Sequence, residues 1–376
     1  MRVAMLAHSV NPRGGVVHAM SLCEALGDLG VEAVLHAPDA AGRGFFRKAR
    51  SGTIAFPVAP PSASLRETIA QRIDDYVSWF EASERRDFDL YHAHDGISAN
   101  ALIELKRRGL IEGFVRTVHH IDEFADRRIA FWQHRSVAEA DALMVVSDVW
   151  RRRVEATFGR DAACVGNGVD LARFRPELDG RERRLRVRYA LDGGPILLSL
   201  GGVEARKNTV LTLLAFGELL ASRPEALLVI AGGATLLDHS AHQREFQEAL
   251  AALGPAGKRV RLLGPIADED MPALYRLADV YLSPSIREGF GLCVIEALAS
   301  GKAVVVSEIE PFVGYLKPDE ALWCDPGSAP SIAAAMRAAL EFDAGEGPKA
   351  AARFTWPRVA KSHLPVYDSL QEPAHA

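Results

Sequence analysis

The feature that most restricts the possible folds is a repeated rhythm: a short apolar run, a loop, then a stretch with helical spacing. Candidate strands are Val3–Ala7, Val31–His36, Leu90–Ala93, Val115–Val118, Leu143–Val146 and Ala163–Val165. The rhythm then resumes with Ile196–Leu200, Leu227–Ala231, Val260–Leu263, Val280–Ser283 and Ala303–Val306. Between strands, sets such as Val16, Val17, Met20, Ala25 and Leu29, or Ile69, Ile73, Val77 and Phe80, recur at the spacing of one helix face. Strands alternating with helices specify a parallel sheet covered on both faces. The segment 38–63 is rich in Pro, Gly and Ser and reads as loop, while the arginine-crowded Arg173–Arg188 reads as a linker. A chain of 376 residues exceeds the usual size of one domain. The expectation is two doubly wound α/β domains in tandem, 1–178 and 179–355.

Composition narrows the function. The net charge is -5, from 44 basic and 49 acidic residues, and neither half carries the basic excess of a nucleic-acid binder. Cys23, Cys164, Cys293 and Cys324 are far apart in the chain and form no C-x-x-C pair, so they read as buried thiols in a reducing compartment. The opening residues carry one basic side chain and a short apolar run, which suits a first strand better than a signal peptide. No apolar stretch approaches the roughly 18 residues of a spanning helix. A cytoplasmic protein, at most a peripheral visitor to a membrane, is expected.

The unusual residues cluster where candidate strands end: Gly14-Gly15, His94-Asp95, His119-His120, Ser147, Gly201–Lys207, Gly232-Gly233 and Pro284–Gly291. Open α/β sheets bind ligands at the carboxyl ends of their strands. Two such sheets would bring both sets of loops to one cleft. The richest segment runs from Ala278 to Gly301: a strand, a Pro-Ser turn, Glu288, a Gly-Phe-Gly loop, and a helix carrying Glu296. Glycines permit close backbone approach and positive φ. A helix start offers unpaired N–H groups and partial positive charge to phosphate oxygens. Carboxylates at 288 and 296 suit hydrogen bonds from sugar hydroxyls.

This segment resembles the E-x7-E signature of retaining glycosyltransferase family 4, whose fold is GT-B, two Rossmann-like domains facing each other across a cleft. The resemblance runs along nearly the whole chain. Gly14-Gly15 is similar to the family's glycine turn, Asp89–Asp95 to its D-hydrophobic-x-H-x-H strand end, and Thr117-Val-His119 to its T-x-H strand end. Val146-Ser147 and Asn167-Gly-Val-Asp170 with Phe174 continue the match. Phe354-Thr-Trp356 and Tyr367 resemble the closing helices, the last of which, 356–376 here, would pack back on the N-terminal domain.

The resemblance implies roles. Glu288 would hold donor-sugar hydroxyls, with Gly289, Phe290, Gly291 and Leu292 lining the same loop. Glu296 would hold the ribose, and Lys207, after Gly201, the diphosphate. His119 would face the transferred sugar, and Gly15, beside Gly14, would let the N-terminal loop approach the phosphate. Gly264-Pro265 is the candidate edge for the base, with a uridine diphosphate sugar favoured on family frequency. No cofactor is implied beyond this nucleotide-sugar substrate, and no metal. The acceptor is a hydroxyl of unspecified identity.

Two positions depart from the family. Gly202 stands where an arginine is usual, leaving Arg206 to supply a second cation beside Lys207. After Ser307 the usual Gly-x-x-Glu is replaced by Glu308-Ile-Glu-Pro-Phe-Val-Gly314. Plainer readings stand beside each sharp one. His92, His94 and Asp95 lack an evident third metal ligand, Trp132 and Trp150 suit core packing, and the arginine clusters suit solvated faces. Rival functions are a nucleotide-sugar isomerase or epimerase, a disabled nucleotide-sugar-binding protein, and an NAD-dependent oxidoreductase. The last lacks a G-x-G-x-x-G after the first strand.

Overall fold

The computed structural model describes residues 1–233 and 239–371, so the last five residues of the expected closing segment lie outside the described residues. The chain divides into two compact units: Met1–Gly168 with Trp356–Ala376, and Val169–Thr355. Each is built around one parallel sheet, as the alternation requires.

In unit 1 the strands are β1 (Arg2–Leu6), β2 (Glu32–Asp39), β3 (Gly52–Pro57), β4 (Leu90–Ala93), β5 (Val115–Val118), β6 (Ala142–Val145) and β7 (Ala163–Cys164). Their order is β3-β2-β1-β4-β5-β6-β7, every neighbouring pair parallel. The order reverses between β1 and β4, where Met5 lies opposite His92 and Leu6 opposite Ala93. Strands β1, β4 and β5 are almost wholly buried, so their apolar side chains face both ways and the polar ones, His92, Arg116 and Thr117, are buried with them. Helices Gly14–Gly27, Leu65–Glu81, Gly96–Arg107, Arg127–Ala138 and Asp148–Phe158 form the crossovers, and Trp356–Gln371 joins this unit from the far end of the chain.

Unit 2 repeats the plan with β8 (Ile196–Leu200), β9 (Leu227–Ala231), β10 (Val260–Gly264), β11 (Val280–Ser283), β12 (Ala303–Ser307) and β13 (Leu322–Cys324), in the order β10-β9-β8-β11-β12-β13. Here the reversal falls between β8 and β11. A core of Leu197, Leu213, Phe216, Leu228, Phe246, Val305 and Met336 closes one face of the sheet.

Three expectations need correction. Of the cysteines read as buried thiols, Cys164 is exposed and Cys293 only half-buried. The loop read at 38–63 contains β3, an edge strand parallel to β2 in which Phe56 is the sole buried residue, so no apolar pattern marks it. The linker read at Arg173–Arg188 contains the helix Arg181–Tyr189, which buries only Glu182 and Leu185. It is held by charge: Arg276 Nε donates to Glu182 Oε1 at 2.5 Å, and Arg184 pairs with Asp270 at 2.5 Å.

Candidate functional site

At the reversal point of unit 2, the loop after β8 begins with Gly201 at φ 117° and Gly202 at φ 76°. Both amides donate to Ala231 O at the end of β9. A side chain at Gly201 would stand 2.9 Å from Lys207 Cε, and one at Gly232 would stand 2.6 Å from Gly202 N. The glycines therefore let two strand-end loops and the lysine stem share one small space. Gly232 N in turn donates to Gly264 O at 2.8 Å, tying in the end of β10. Positive φ at Gly202 also explains its identity: an arginine there would occupy a backbone region that side chains disfavour.

A single turn, Ala205–Lys207, then delivers both cations. It ends at Asn208, which adopts the left-handed conformation at φ 59°, a region where asparagine is enriched among non-glycine residues. The Asn208 amide donates to Pro284 O at 3.0 Å and Pro326 O at 2.7 Å, binding this turn to the loop after β11. Ile286 N donates to Arg206 O at 3.0 Å across the same seam.

The result is a three-way contact. Lys207 Nζ lies 2.5 Å and Arg206 Nη1 3.0 Å from the same Glu288 Oε1, which also accepts from Ser285 Oγ at 3.1 Å. Burial pushes the Glu288 carboxyl up, but the two cations and these hydrogen bonds outweigh it and bring the pKa down to about 2. Glu288 is therefore ionised, and it supplies the anion that seats both cations. Arg206 thus shares the Glu288 carboxylate with Lys207.

Beyond Glu288, Gly291 takes φ 97° and starts the helix Leu292–Ala299, whose first N–H groups no side chain caps. A Cβ at Gly291 would meet Phe312 at 2.6 Å. Phe312, in the segment that departs from the family pattern, and Tyr315 just after it brace the loop. The Tyr315 ring stacks on Phe290 at 4.6 Å and its hydroxyl donates to Phe290 O at 2.9 Å. One turn into the helix, Glu296 accepts from Tyr275 OH at 2.7 Å. Burial pushes its carboxyl up to about 7, against the pull of the Tyr275 hydroxyl and the Arg173 charge. The two glutamates of the motif thus differ sharply in protonation. A cavity of about 690 Å³ opens beside this edge, lined by Gly202, Glu204, Gly232, Gly233, Gln243 and Gly264 among others.

Unit 1 carries a different constellation at its strand ends. His119 follows β5, and its ring lies against Gly15, where a Cβ would come within 3.3 Å of Cδ2. Gly14 has no such neighbour. Around His119 stand His18, His92, His94 and His363, all buried. His94 Nδ1 meets His119 Nε2 at 3.1 Å, and His92 bridges Thr117 Oγ1 at 2.7 Å and Tyr367 OH at 2.8 Å. His18 Nδ1 meets Asn167 Oδ1 at 2.6 Å. Burial lowers the pKa of every one: His18 to about 4, His363 to about 3, and His92, His94 and His119 well below the usual histidine range. Among the described residues no group of three or more His, Cys, Asp and Glu is placed to hold a metal ion.

Sequence patterns singled out Lys207, Arg206 and Glu288, and the fold brings them together. Asn208, Tyr275 and Tyr315 escaped, as did His18 and His363. Asn208 had a signal in retrospect, since the residue after Lys207 must reverse the chain.

A doubly wound pair of units, each with its glycine-lined strand ends at the reversal point, defines the GT-B class. Structural comparison agrees. Sucrose-phosphate synthase from Thermosynechococcus elongatus superposes with a TM-score of 0.79 at 20% identity, covering 98% of this chain and 99% of that one. Anabaena HepE in complex with UDP-glucose gives 0.77 at 16% identity, covering 98% and 100%. Residues 12–173 match Glycosyltransferase Family 4, and residues 182–354 match Glycosyl transferases group 1. The chain belongs to glycosyltransferase family 4. Among relatives, the phosphatidyl-myo-inositol mannosyltransferase of Mycolicibacterium smegmatis is 28% identical, covering 98% of this chain and 94% of its own. D-inositol 3-phosphate glycosyltransferase of Salinispora arenicola is 29% identical, over 74% and 68%. No helix among the described residues is long and apolar enough to cross a membrane.

Proposed function

We propose that this glycosyltransferase moves a sugar, with retention and without a metal ion, from a nucleoside diphosphate donor to a hydroxyl of a polyol or sugar acceptor. The observation that carries the reading is the convergence of Lys207 and Arg206 on Glu288, one short loop from an uncapped helix start. Departure of a diphosphate concentrates negative charge on oxygen. Two fixed cations and uncapped N–H groups stabilise that charge without reorganising at the moment of reaction. Glu288, already ionised, accepts hydrogen bonds from sugar hydroxyls, Glu296 takes the ribose, and the cavity beside Gly232 and Gly264 takes the base. His119 meets the transferred sugar. The bond from C1 to the diphosphate breaks, a bond from C1 to the acceptor oxygen forms on the same face, and the acceptor proton leaves on the departing diphosphate.

The two relatives support the acceptor class, since one is a phosphatidyl-myo-inositol mannosyltransferase and the other a D-inositol 3-phosphate glycosyltransferase. The HepE complex with UDP-glucose supports a uridine donor. Calorimetric titration with UDP-, GDP- and ADP-sugars tests the donor site, and one of them is expected to bind with measurable heat. Incubation with that donor and an inositol phosphate, followed by NMR of the product anomer, tests transfer and retention. An altered sugar formed from donor alone, with no acceptor present, would mean an isomerase instead.

A further inference from the structure

The histidine cluster of unit 1 contains a hydrogen-bond order that fixes the state of His119. Its starting point is Met5, whose sulfur lies 2.8 Å from His94 Nε2. A thioether accepts hydrogen bonds and donates none. The proton of neutral His94 therefore sits on Nε2, and Nδ1 is left as a lone pair. That lone pair faces His119 Nε2 at 3.1 Å, so His119 carries its own proton on Nε2 and donates it to His94. His119 Nδ1 becomes the acceptor nitrogen of the ring.

Neither ring escapes this order by gaining a proton. Both are held neutral by burial, and the groups that face His119 (His18, His92, His120 and Arg116) all oppose positive charge there. His92, with its ring centroid 4.3 Å from that of His94, is locked by Thr117 on β5 and Tyr367 on the C-terminal helix. Gly15 lies against the Cδ2 edge of the His119 ring, where its missing side chain leaves just enough room, and the ring remains half-buried.

We propose that His94 is a positioning residue that holds His119 as the Nε2–H tautomer, presenting Nδ1 to accept a hydrogen bond from a hydroxyl of the transferred sugar. This rests on the reading of His119 as the group that meets that sugar. A second histidine one strand away thus sets the hydrogen-bond polarity of the first, in the way that a partner on one imidazole nitrogen decides what the other can do.

Three variants test it, with melting temperature as the check on folding. His94→Leu removes the acceptor for the His119 proton, and kcat is expected to fall about 10-fold or more with the donor KM little changed. His94→Asn can return an acceptor oxygen near the position of Nδ1 and is expected to recover most of that loss. His119→Ala is expected to cost at least as much as His94→Leu, and the double variant no more than His119→Ala alone, because the two act as one unit. Nitrogen-15 imidazole NMR reads the tautomer directly: Nε2–H at His119 in the parent, a mixture in His94→Leu. Wild-type kcat in His94→Leu, additive losses in the double variant, or an unchanged His119 tautomer without His94 overturns the proposal. Wild-type kcat in His119→Ala overturns instead the reading of His119, and the NMR result then judges the tautomer control by itself. Should His94→Leu not fold, His94→Asn and His94→Gln decide on the same NMR criterion, with the tautomer held in the first and mixed in the second.

Discussion

The strand-end edges of the two units solve the same problem, a polar cluster beside a buried sheet, in opposite ways. Unit 2 pairs charges: Lys207 and Arg206 face Glu288, whose carboxyl stays ionised down to about pH 2. Unit 1 removes charge: five imidazoles crowd with centroids 4.3 to 6.0 Å apart and are kept neutral by burial. His18 Nε2 and His363 Nε2 are buried and have no hydrogen-bond partner, so a proton added to either would be a second donor with nothing to receive it. The lesson is that one fold can carry two electrostatic regimes. On the proposed function, the charged edge meets the diphosphate and the uncharged one offers a neutral acceptor nitrogen to the sugar.

The largest expected effect comes from removing a charge where charge does chemistry. Lys207→Ala is expected to lower kcat by about 100-fold or more. Melting should change far less, because the side chain contributes one partner to a network that keeps Arg206 and Ser285 on Glu288. Steady-state turnover with saturating donor is the measurement. Turnover like that of the parent would break the assignment of unit 2 as the charged, reacting edge.

Acid titration sharpens the comparison next. The buried histidines have folded pKa values below the ordinary value of about 6.5, so the unfolded chain binds more protons as pH falls. Their contribution to stability is fully present above about pH 6.5 and is lost as pH falls toward the folded values near 4 and 3. Glu288 behaves differently: its contribution is present above about pH 4.5 and is lost only on approach to about 2. Between pH 6.5 and 4.5, unit 1 is expected to weaken while this contribution in unit 2 persists. The shift at His18 alone corresponds to about 3 kcal/mol. Trp79, Trp132, Trp150 and Trp356 lie in unit 1, and Trp356 sits 5.3 Å from the His18 ring. Tryptophan fluorescence during an acid titration should therefore change in that window. A flat trace down to pH 4.5 contradicts the neutral-cluster account.

A backbone test separates the loops from the charges. Gly232→Ala places a Cβ 2.6 Å from Gly202 N at φ 129°, where no flexible side chain can yield. A loss of about 1–3 kcal/mol is expected by denaturant unfolding, with the acid response of tryptophan fluorescence retained. An unchanged midpoint would show that the loops after β8 and β9 need no such close approach.

How much of this was legible in the chain depends on where each residue's partners lie. Strands β1, β4, β8 and β11 announce themselves because both of their faces are buried and every position is apolar or nearly so. Strand β3 and the helix Arg181–Tyr189 do not, since one rests on a single phenylalanine and the other on ion pairs to Arg276 and Asp270. Glu288, Glu296 and Lys207 are readable because the resemblance to the family rests on short contiguous segments that contain them. The histidine cluster is not: His18 bonds Asn167 across 149 residues and His92 bonds Tyr367 across 275, and no local pattern reports such a meeting. The opposite pKa shifts of Glu288 and Glu296 are equally invisible in a motif that treats them as equals. They arise because two cations overcome the burial of one carboxylate, whereas a phenol only partly offsets the burial of the other.

That last difference yields the subtlest prediction. Tyr275 donates to the ionised form of Glu296 and so restrains a carboxyl that burial pushes up to about 7. In Tyr275→Phe this restraint is gone, and the pKa should move further up, with a cost to binding of about 1 kcal/mol at neutral pH. The sign follows from chemistry. A ribose hydroxyl donates well to a carboxylate and poorly to a carboxylic acid, so a larger protonated fraction weakens the nucleotide. Calorimetry of a nucleoside diphosphate at several pH values reads this directly. The parent should bind more tightly as pH rises through about 7, and the variant should need a higher pH to reach its own plateau. If the ratio of the two affinities is the same at every pH, Tyr275 acts on the nucleotide without passing through Glu296, and the contrast between the two glutamates loses its functional meaning.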